Sequence, residues 1–242
     1  MAVYIGTSGW SYDHWVGILY PKSAKSLERL DAYARAFRSV EVNNTFYRWP
    51  REEVFATWRE RSPNGFIFSV KASRGLTQFR KLNDPVPWLE RMEAGLSRLE
   101  EKRGVTLYQL PPHFPIHLDR LDEFLSVVPS GRRTAIEFRH RTWDVEETFG
   151  ILERHHAAYC IMSGANLPCV LRVTAGFVFV RLHGPDDQRL YAGSYSEADL
   201  RWWADRIGEW RSQGRDVYAY FNNDGYGHAV RNALRLRELV GE

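Results

Sequence analysis

The stretch Phe177-Val-Phe-Val-Arg-Leu-His183 decides how the rest of the sequence is interpreted. Its β-branched and aromatic residues are typical of a buried strand, and its end carries polar side chains. Burying a polar group without a partner costs on the order of a few kcal/mol, so polar residues at a strand end indicate a polar site. The stretch therefore predicts a buried strand that delivers Arg181 and His183 to a site.

Other apolar runs along the chain also end in polar residues, and helix-like stretches separate most of these runs. The eight predicted strands are Val3–Ser8, Ser39–Asn44, Phe66–Ala72, Val105–Leu110, Thr134–Phe138, Ala158–Met162, Phe177–His183 and Val217–Asn222. Apolar stripes with a helical period lie between them. The first stripe consists of Leu27, Leu30, Ala34 and Phe37.

Eight strands alternating with helices predict an α/β fold, a single (β/α)8 barrel of the TIM type. Residues 1–242 form one predicted domain, because no linker or repeat interrupts them. The segment Ser163–Gly176 contains Pro168 and shows no helical stripe, so we expect the sixth helix to be reduced to a loop. Barrel enzymes keep their active sites at the C-terminal ends of the strands.

Length and composition agree with a globular barrel. The chain has 242 residues and a mass of 28.2 kDa, and barrels of this kind commonly have about 250 residues. The net charge of +3 and the sequence pI of about 8.9 tolerate an anionic ligand without requiring one. The sequence contains no block of Lys and Arg residues of the kind that forms a nucleic-acid-binding tail.

Cysteine usage and the first strand indicate the cytoplasm. Cys160 and Cys169 form no Cys-x-x-Cys pattern, so neither a disulfide framework nor a zinc motif is expected. The first strand begins almost at once, which leaves no room for a signal peptide. No apolar run approaches the roughly 20 residues that cross a bilayer, so we expect no membrane contact. Nothing in the sequence sets the oligomeric state.

Two glutamates are the first candidates for catalysis. Glu41 and Glu137 end predicted strands, and two carboxylates in a cleft can divide the acid and base roles. His183 is the third catalytic candidate. The alternative is that each glutamate pairs with Lys71, Arg139 or Arg181 and only closes the barrel.

The cations at the strand ends suggest an anionic ligand. Lys71, Arg139 and Arg181 are expected at the same opening, and arginine matches carboxylate and phosphate geometry. Mutual neutralisation with the two glutamates is the alternative.

The segment Asn222-Asn-Asp-Gly-Tyr-Gly-His228 passes from a strand into a helix. Helix starts bind anions, and barrel enzymes often hold phosphate after the last two strands. We therefore expect Gly225 and Gly227 to form an anion-binding turn and Asp224 to cap the helix. Alternatively, the glycines only supply backbone freedom.

Recognised cofactor motifs are absent from the sequence. Gly6-Thr-Ser-Gly-Trp10 lacks the spacing of a nucleophile elbow, and no P-loop, dinucleotide fingerprint or His-Glu-x-x-His occurs. No cofactor is predicted. A divalent metal held by Glu41, Glu137, His183 and Asp224 is a less favoured alternative, since no ligand spacing supports it.

Several ordered motifs resemble those of the DUF72 (YecE-like) family over nearly the whole chain. They are Ile5-Gly-Thr-Ser-Gly-Trp-Ser-Tyr-Asp-His-Trp15, Val40-Glu-Val-Asn-Asn-Thr-Phe-Tyr-Arg48, Phe68-Ser-Val-Lys-Ala72, Gln109-Leu-Pro-Pro112, Glu137-Phe-Arg-His140, Arg181-Leu-His-Gly184 and Phe221-Asn-Asn-Asp224. The resemblance implies a TIM-type barrel with these motifs at one opening, and no secure activity. A more distant resemblance is to the endonuclease IV and sugar-isomerase group, which use metals.

The resemblance also implies a set of shared polar positions. They are Glu41, Asn43, Lys71, Gln109, Glu137, Arg139, His140, Arg181, His183, Asn222, Asn223 and Asp224. Two departures stand out: Gln78 replaces a usual His, and Ser163 replaces a frequent Asp. Both remove a group that could ligate a metal or transfer a proton.

Three functions follow as hypotheses. The first is an enzyme, a hydrolase or isomerase, that acts on a small anionic or phosphorylated substrate through Glu-based acid/base chemistry, with Asn43 and Asn222 holding substrate hydroxyls. The second is a nucleic-acid-binding or repair-type barrel. The third is a non-catalytic ligand-binding barrel.

Overall fold

The computed structural model describes residues 1–25 and 28–242. Eight parallel strands follow one another around a barrel, with β1 beside β8. They are β1 (Val3–Thr7), β2 (Ser39–Val42), β3 (Ile67–Lys71), β4 (Arg103–Gln109), β5 (Thr134–Glu137), β6 (Ala158–Ser163), β7 (Phe177–Leu182) and β8 (Asp216–Phe221). All eight predicted strands are confirmed, with ends that differ by at most two residues.

Helices follow the strands, and most of them cover the outer face of the barrel. They are α1 (Arg29–Ala36), the short α2 (Asn44–Tyr47), α3 (Glu52–Arg61), α4 (Val86–Leu96), α5 (Leu118–Val127), α6 (Glu146–Arg154), α7 (Glu197–Ser212) and α8 (His228–Val240). Residues 164–176, all of them described, connect β6 to β7 without a helix. This confirms that the helix expected after the sixth strand is reduced to a loop; α6 precedes that strand. Leu27, assigned to the first apolar stripe, lies outside the described residues. In the described ranges no helix is both long and apolar enough to cross a bilayer.

Side chains alternate along each strand between the helices and the barrel interior. The interior is filled by aromatic and aliphatic side chains such as Phe179 and Leu107, both fully buried. Above them the hydroxyl of Tyr220 lies 2.5 Å from Ser39 Oγ and 2.9 Å from Ser69 Oγ. The polar content of the interior therefore increases toward the C-terminal ends of the strands.

Two neighbouring strand pairs are joined sparsely. Between β1 and β2 the pairing is the single bridge of Ser8 with Glu41. There the Tyr33 hydroxyl accepts from the Thr7 N–H at 2.9 Å and donates to the Ser39 carbonyl at 3.0 Å. A Cβ on Gly6 would lie 2.2 Å from that carbonyl oxygen, so glycine permits the close approach.

The second sparse pair is β5 with β6. Ala135 pairs with Ala158 and Ile136 with Tyr159, and the register continues no further. The side chains at the strand ends therefore supply part of the connection across both places.

Candidate functional site

Five strands place a polar side chain at the same end of the barrel, called here the barrel mouth. Lys71 ends β3, Gln109 ends β4 and Glu137 ends β5, while Glu41 and Arg181 are each one residue before the end of β2 and β7. Because side chains alternate and the strands are parallel, these residues all face inward at one level. The structure thus brings together residues that are far apart in sequence.

Arg181 is the centre of the barrel mouth. Its Nε donates to Glu41 Oε2 at 2.8 Å and its Nη2 to Glu41 Oε1 at 2.7 Å. Its Nη1 donates to Glu137 Oε2 at 2.5 Å and, more weakly, to Gln109 Oε1 at 3.4 Å. Ser8 Oγ adds a hydrogen bond of 2.6 Å to Glu41 Oε1. One guanidinium therefore binds both candidate carboxylates.

A second layer lies outside this centre. Arg139 donates through Nε to Glu137 Oε1, and its Nη2 lies 3.2 Å from His183 Nε2. Because a guanidinium can only donate, Nε2 accepts and the imidazole proton is on Nδ1. Asn222 Nδ2 lies 3.3 Å from Nδ1, so the Asn222 amide has to turn over for its oxygen to accept from Nδ1 in this tautomer.

The pKa values at the barrel mouth follow from burial and neighbouring charge. Burial would raise the pKa of Glu137, but Arg139 and Arg181 outweigh it and hold the pKa below its usual range. Burial, reinforced by Arg181, keeps the pKa of His183 well below its ordinary value. Glu137 is therefore an ionised carboxylate at neutral pH, and His183 is a neutral imidazole.

Lys71 has a different environment. Its side chain is 8% exposed, and its Nζ lies 4.2 Å from the centre of the Phe46 ring. No carboxylate among the described residues lies within 4 Å of Nζ, and no described residue accepts a hydrogen bond from it. Burial, with the repulsion of Arg181, lowers the pKa of Lys71 to about 7.

Of the three polar residues that follow β8, Asn222 contacts His183, whereas Asn223 and Asp224 bind residues of other loops. Fully buried Asn223 donates through Nδ2 to Gly193 O and Asn232 Oδ1, both at 2.9 Å, and so joins loops together. Asp224 accepts from Trp15 Nε1 at 2.6 Å. His14 Nε2 lies 2.8 Å from its Oδ2, at ion-pair distance. Burial raises the pKa of Asp224.

The expected capping role of Asp224 is wrong. Helix α8 begins after Gly227, and the Asp224 side chain makes no capping hydrogen bond, because Trp15 and His14 on the loop after β1 bind its carboxylate. Gly225 and Gly227 form one short turn before the helix. Gly227 has a φ of +74°, and a Cβ there would lie 2.5 Å from Ile18 Cδ1. The turn therefore needs glycine for backbone reasons, and its predicted anion binding stays a prediction.

Other predicted residues make local contacts. His140 Nδ1 lies 2.9 Å from Thr142 Oγ1 and caps a short turn instead of joining Arg181. Asn43 has a buried Oδ1 without a partner among the described residues. It lines a cavity of about 150 Å³ with Gly9, Trp10, Ser11, Tyr12 and Asn44.

The two departures from the family pattern have structural partners. Gln78 Nε2 donates to the Gln109 carbonyl at 2.6 Å, and Ser163 Oγ accepts from the Tyr195 hydroxyl at 3.0 Å. In the described part of the chain, no group of three or more His, Cys, Asp or Glu side chains is placed to hold a metal ion. Glu41 and Glu137 are each occupied by Arg181.

Sequence reasoning missed three contacts of the site. Phe46 belongs to the motif of residues 40–48, but the motif did not indicate that its ring packs against Lys71 Nζ. His14 and Trp15 belong to a motif after β1 but contact Asp224 after β8. The clustering of polar and aromatic residues in these motifs was the available signal, but it does not specify the partner.

Fold and site together define a TIM-type β/α barrel with a polar site at the C-terminal ends of its strands. Residues 4–242 match the family described as "Protein of unknown function DUF72". The chain therefore belongs to the DUF72 family, which confirms the resemblance seen in the motifs.

Three relatives show how far the similarity extends. The UPF0759 protein YunF of Bacillus subtilis is 26% identical over 98% of this chain and 94% of its own. The UPF0759 protein YecE of Escherichia coli is 31% identical over 57% of this chain and 48% of its own. A DUF72 family protein of Thermotoga maritima has a crystal structure with a TM-score of 0.90 and 29% identity, with all of both chains covered.

Proposed function

We propose that the barrel mouth binds a small anionic substrate and that the protein is an enzyme acting on it. The observation that carries the proposal is Lys71, a largely buried amine whose Nζ forms no hydrogen bond and no ion pair within 4 Å with a described residue. The nearby carboxylates of Glu41 and Glu137 are bound to Arg181. A buried cation needs a partner, and an anionic ligand would supply it.

The charge balance at the mouth supports the same conclusion. Two carboxylates, Glu41 and Glu137, face the cationic side chains of Arg181, Arg139 and Lys71. The two arginines satisfy the two carboxylates, which leaves Lys71 in excess. A carboxylate or phosphate group at Lys71 would restore neutrality and raise the pKa of Lys71.

The contacts of Glu137, Glu41 and His183 suggest a different role for each in acid/base chemistry. Because its arginine neighbours hold Glu137 ionised, its proposed role is that of a base and not of an acid. Glu41, bound through both oxygens, would orient Arg181. His183 is the neutral group proposed to exchange a proton with the substrate, between Arg139 and Asn222.

Isothermal titration with inorganic phosphate tests the proposal. We expect binding to the wild type and at least about tenfold weaker binding to Lys71→Met, because one charged contact contributes about 1.5–3 kcal/mol. Lys22→Met, a change of an exposed lysine, is the matched control and should bind as the wild type does. Equal affinity of all three proteins, or none in any of them, would contradict an anion site at Lys71.

A specific observation also favours the second hypothesis, nucleic-acid binding. Around the mouth the side chains of Tyr47, Phe79 and Tyr226 are 68%, 72% and 85% exposed. The Arg74 guanidinium lies 5.7 Å from the Tyr47 ring centre and 5.5 Å from that of Phe79. Exposed aromatic rings beside arginine are suited to stacking on unpaired bases.

A gel-shift titration with a single-stranded oligonucleotide tests this second candidate. Stacking contributes roughly 1–3 kcal/mol per base, so Tyr226→Ala should weaken binding about fivefold or more, and added salt should weaken it further. Trp202→Ala, which changes an exposed aromatic residue on α7, is the control. Absence of binding at low salt argues against this candidate.

A further inference from the structure

The position of the Lys71 side chain would allow its amine to act as a nucleophile as well as to bind an anion. It ends β3, faces the barrel interior and retains an 8% exposed fraction. The Phe46 ring, 4.2 Å from Nζ, covers one side of the amine without accepting a conventional hydrogen bond. The nitrogen lone pair of a neutral Lys71 would therefore be available to a ligand in the mouth.

Burial is the main factor that favours that neutral form. Burial and the positive charges of Arg181 and Arg139 disfavour the ammonium form, and the charges of Glu137 and Glu41 offset this only in part. With a pKa of about 7, roughly half of the Lys71 side chains carry a free amine at neutral pH. Burial next to another cation is the setting in which lysine becomes a nucleophile.

The chain contains its own comparison in Lys102, which is also buried. Lys102 Nζ donates to the carbonyls of Arg59 and Ser62, both at 2.6 Å, and to Ser62 Oγ at 3.1 Å. Those acceptors use all three donors of an ammonium group, whereas Lys71 Nζ has none of this kind. Burial alone therefore does not produce the environment of Lys71.

We propose that Lys71 Nζ forms a covalent imine with a small substrate that carries an aldehyde or ketone next to an anionic group. This inference rests on the proposed anion site, because an anionic group bound at the mouth would bring the neighbouring carbonyl carbon within reach of Lys71. The substrate class is thus that of 2-oxo acids and related carbonyl anions.

The step balances without another reactant. The Nζ lone pair attacks the carbonyl carbon, the N–C bond forms, and the carbonyl π electrons move to oxygen. Transfer of a proton from nitrogen to oxygen gives a neutral carbinolamine. A further proton from solvent lets the hydroxyl leave as water, and the nitrogen lone pair forms the C=N bond of a protonated imine.

Reductive trapping with glyoxylate and sodium cyanoborohydride tests the inference. Hydride reduction would fix the imine as a carboxymethyl group on Lys71, which peptide mass spectrometry locates. At pH 7 we expect modification of Lys71 to be roughly tenfold or more faster than that of exposed Lys22 and Lys25, because an ordinary lysine is almost entirely protonated there. Lys102 should remain unmodified, and the exposed α-amino group is an internal reference.

The pH profile and two variants complete the experiment. Labelling of Lys71 should increase as the pH rises through about 7. Lys71→Arg should keep phosphate binding and lose the adduct at position 71, and Lys71→Met should lose both. No adduct, or equal labelling of Lys71 and Lys22, would overturn the inference. If phosphate binding still depends on Lys71 in that case, the proposed anion site is retained and only the imine is rejected. If phosphate binding does not depend on Lys71 either, both proposals are rejected.

Discussion

The two ends of the barrel carry the same type of ion pair in opposite surroundings. At the mouth Arg181, Glu41 and Glu137 are all 0% exposed. At the other end Arg133 Nη2 lies 2.6 Å from Asp216 Oδ2, with side chains 41% and 23% exposed. Half-exposed pairs cost little to form, whereas three fully buried ions lose much of their hydration. The ion pairs at the two ends therefore differ in what they cost to form.

The largest expected effect comes from removing the central cation. Arg181→Met leaves Glu41 buried without an ion pair and Glu137 paired with Arg139 alone, so unfolding should require about 3–5 kcal/mol less free energy. Arg133→Met at the opposite end should cost about 1 kcal/mol or less. Urea denaturation measures both, and similar losses for the two variants would remove the contrast between the ends.

The two buried lysines extend the comparison to single side chains. Lys102→Met leaves the carbonyls of Arg59 and Ser62 without their donor, which should cost about 1–3 kcal/mol. Lys71→Met removes a buried amine that no described acceptor binds, so it should be neutral or stabilising below pH 7. Urea denaturation at pH 6 compares them, and a greater loss for Lys71→Met would contradict the assignment.

The pH dependence of stability isolates Lys71. Below its native pKa of about 7 the amine is charged in both states, and the native state carries the full cost. Between about 7 and the ordinary value of 10.5 the native amine loses its proton while the unfolded chain keeps it. Stability of the wild type relative to Lys71→Met should therefore rise with pH in this window, by up to about 1.4 kcal/mol per unit.

Denaturation of both proteins at several pH values measures this difference. Lys22→Met, which changes an exposed side chain, should follow the wild type. Parallel curves for the wild type and Lys71→Met would show that the native amine titrates as an ordinary lysine.

The smallest effect concerns the junction of β1 and β2. Tyr33→Phe removes the hydroxyl between the Thr7 N–H and the Ser39 carbonyl and should cost about 0.5–1.5 kcal/mol. Tyr108→Phe is a control on β4, because its hydroxyl makes no hydrogen bond to a described residue. If both variants are equally stable, the Tyr33 hydroxyl does not stabilise the junction of β1 and β2, and the contacts at the mouth hold these strands together.

Much of this architecture was predictable because strand periodicity is local. Runs such as Phe177–Leu182 specify a buried strand, and a period of two places Arg181 on the inner face. The meeting of strand ends follows from parallel topology. The choice of partners does not follow from it: that Arg181 binds both Glu41 and Glu137 depends on contacts across the closed barrel.

The loops show the same limit. The sequence favours Asp224 as a helix cap, because a carboxylate before a helix usually binds its first N–H groups. In the fold, Trp15 and His14 occupy that carboxylate from the far end of the chain. A contact between residues more than 200 positions apart depends on the closed barrel and leaves no mark in the local pattern.

The two sparse junctions have a mechanical consequence. They divide the barrel into half-barrels, one with β6, β7, β8 and β1 and the other with β2 to β5. Arg181 belongs to the first and is bound by Glu41 and Glu137 of the second, so its guanidinium fastens one half-barrel to the other. An anion that drew this guanidinium away from Glu41 would loosen the junctions, and amide hydrogen exchange at Gly9, whose N–H donates to the Glu41 carbonyl at 2.7 Å, would report its arrival.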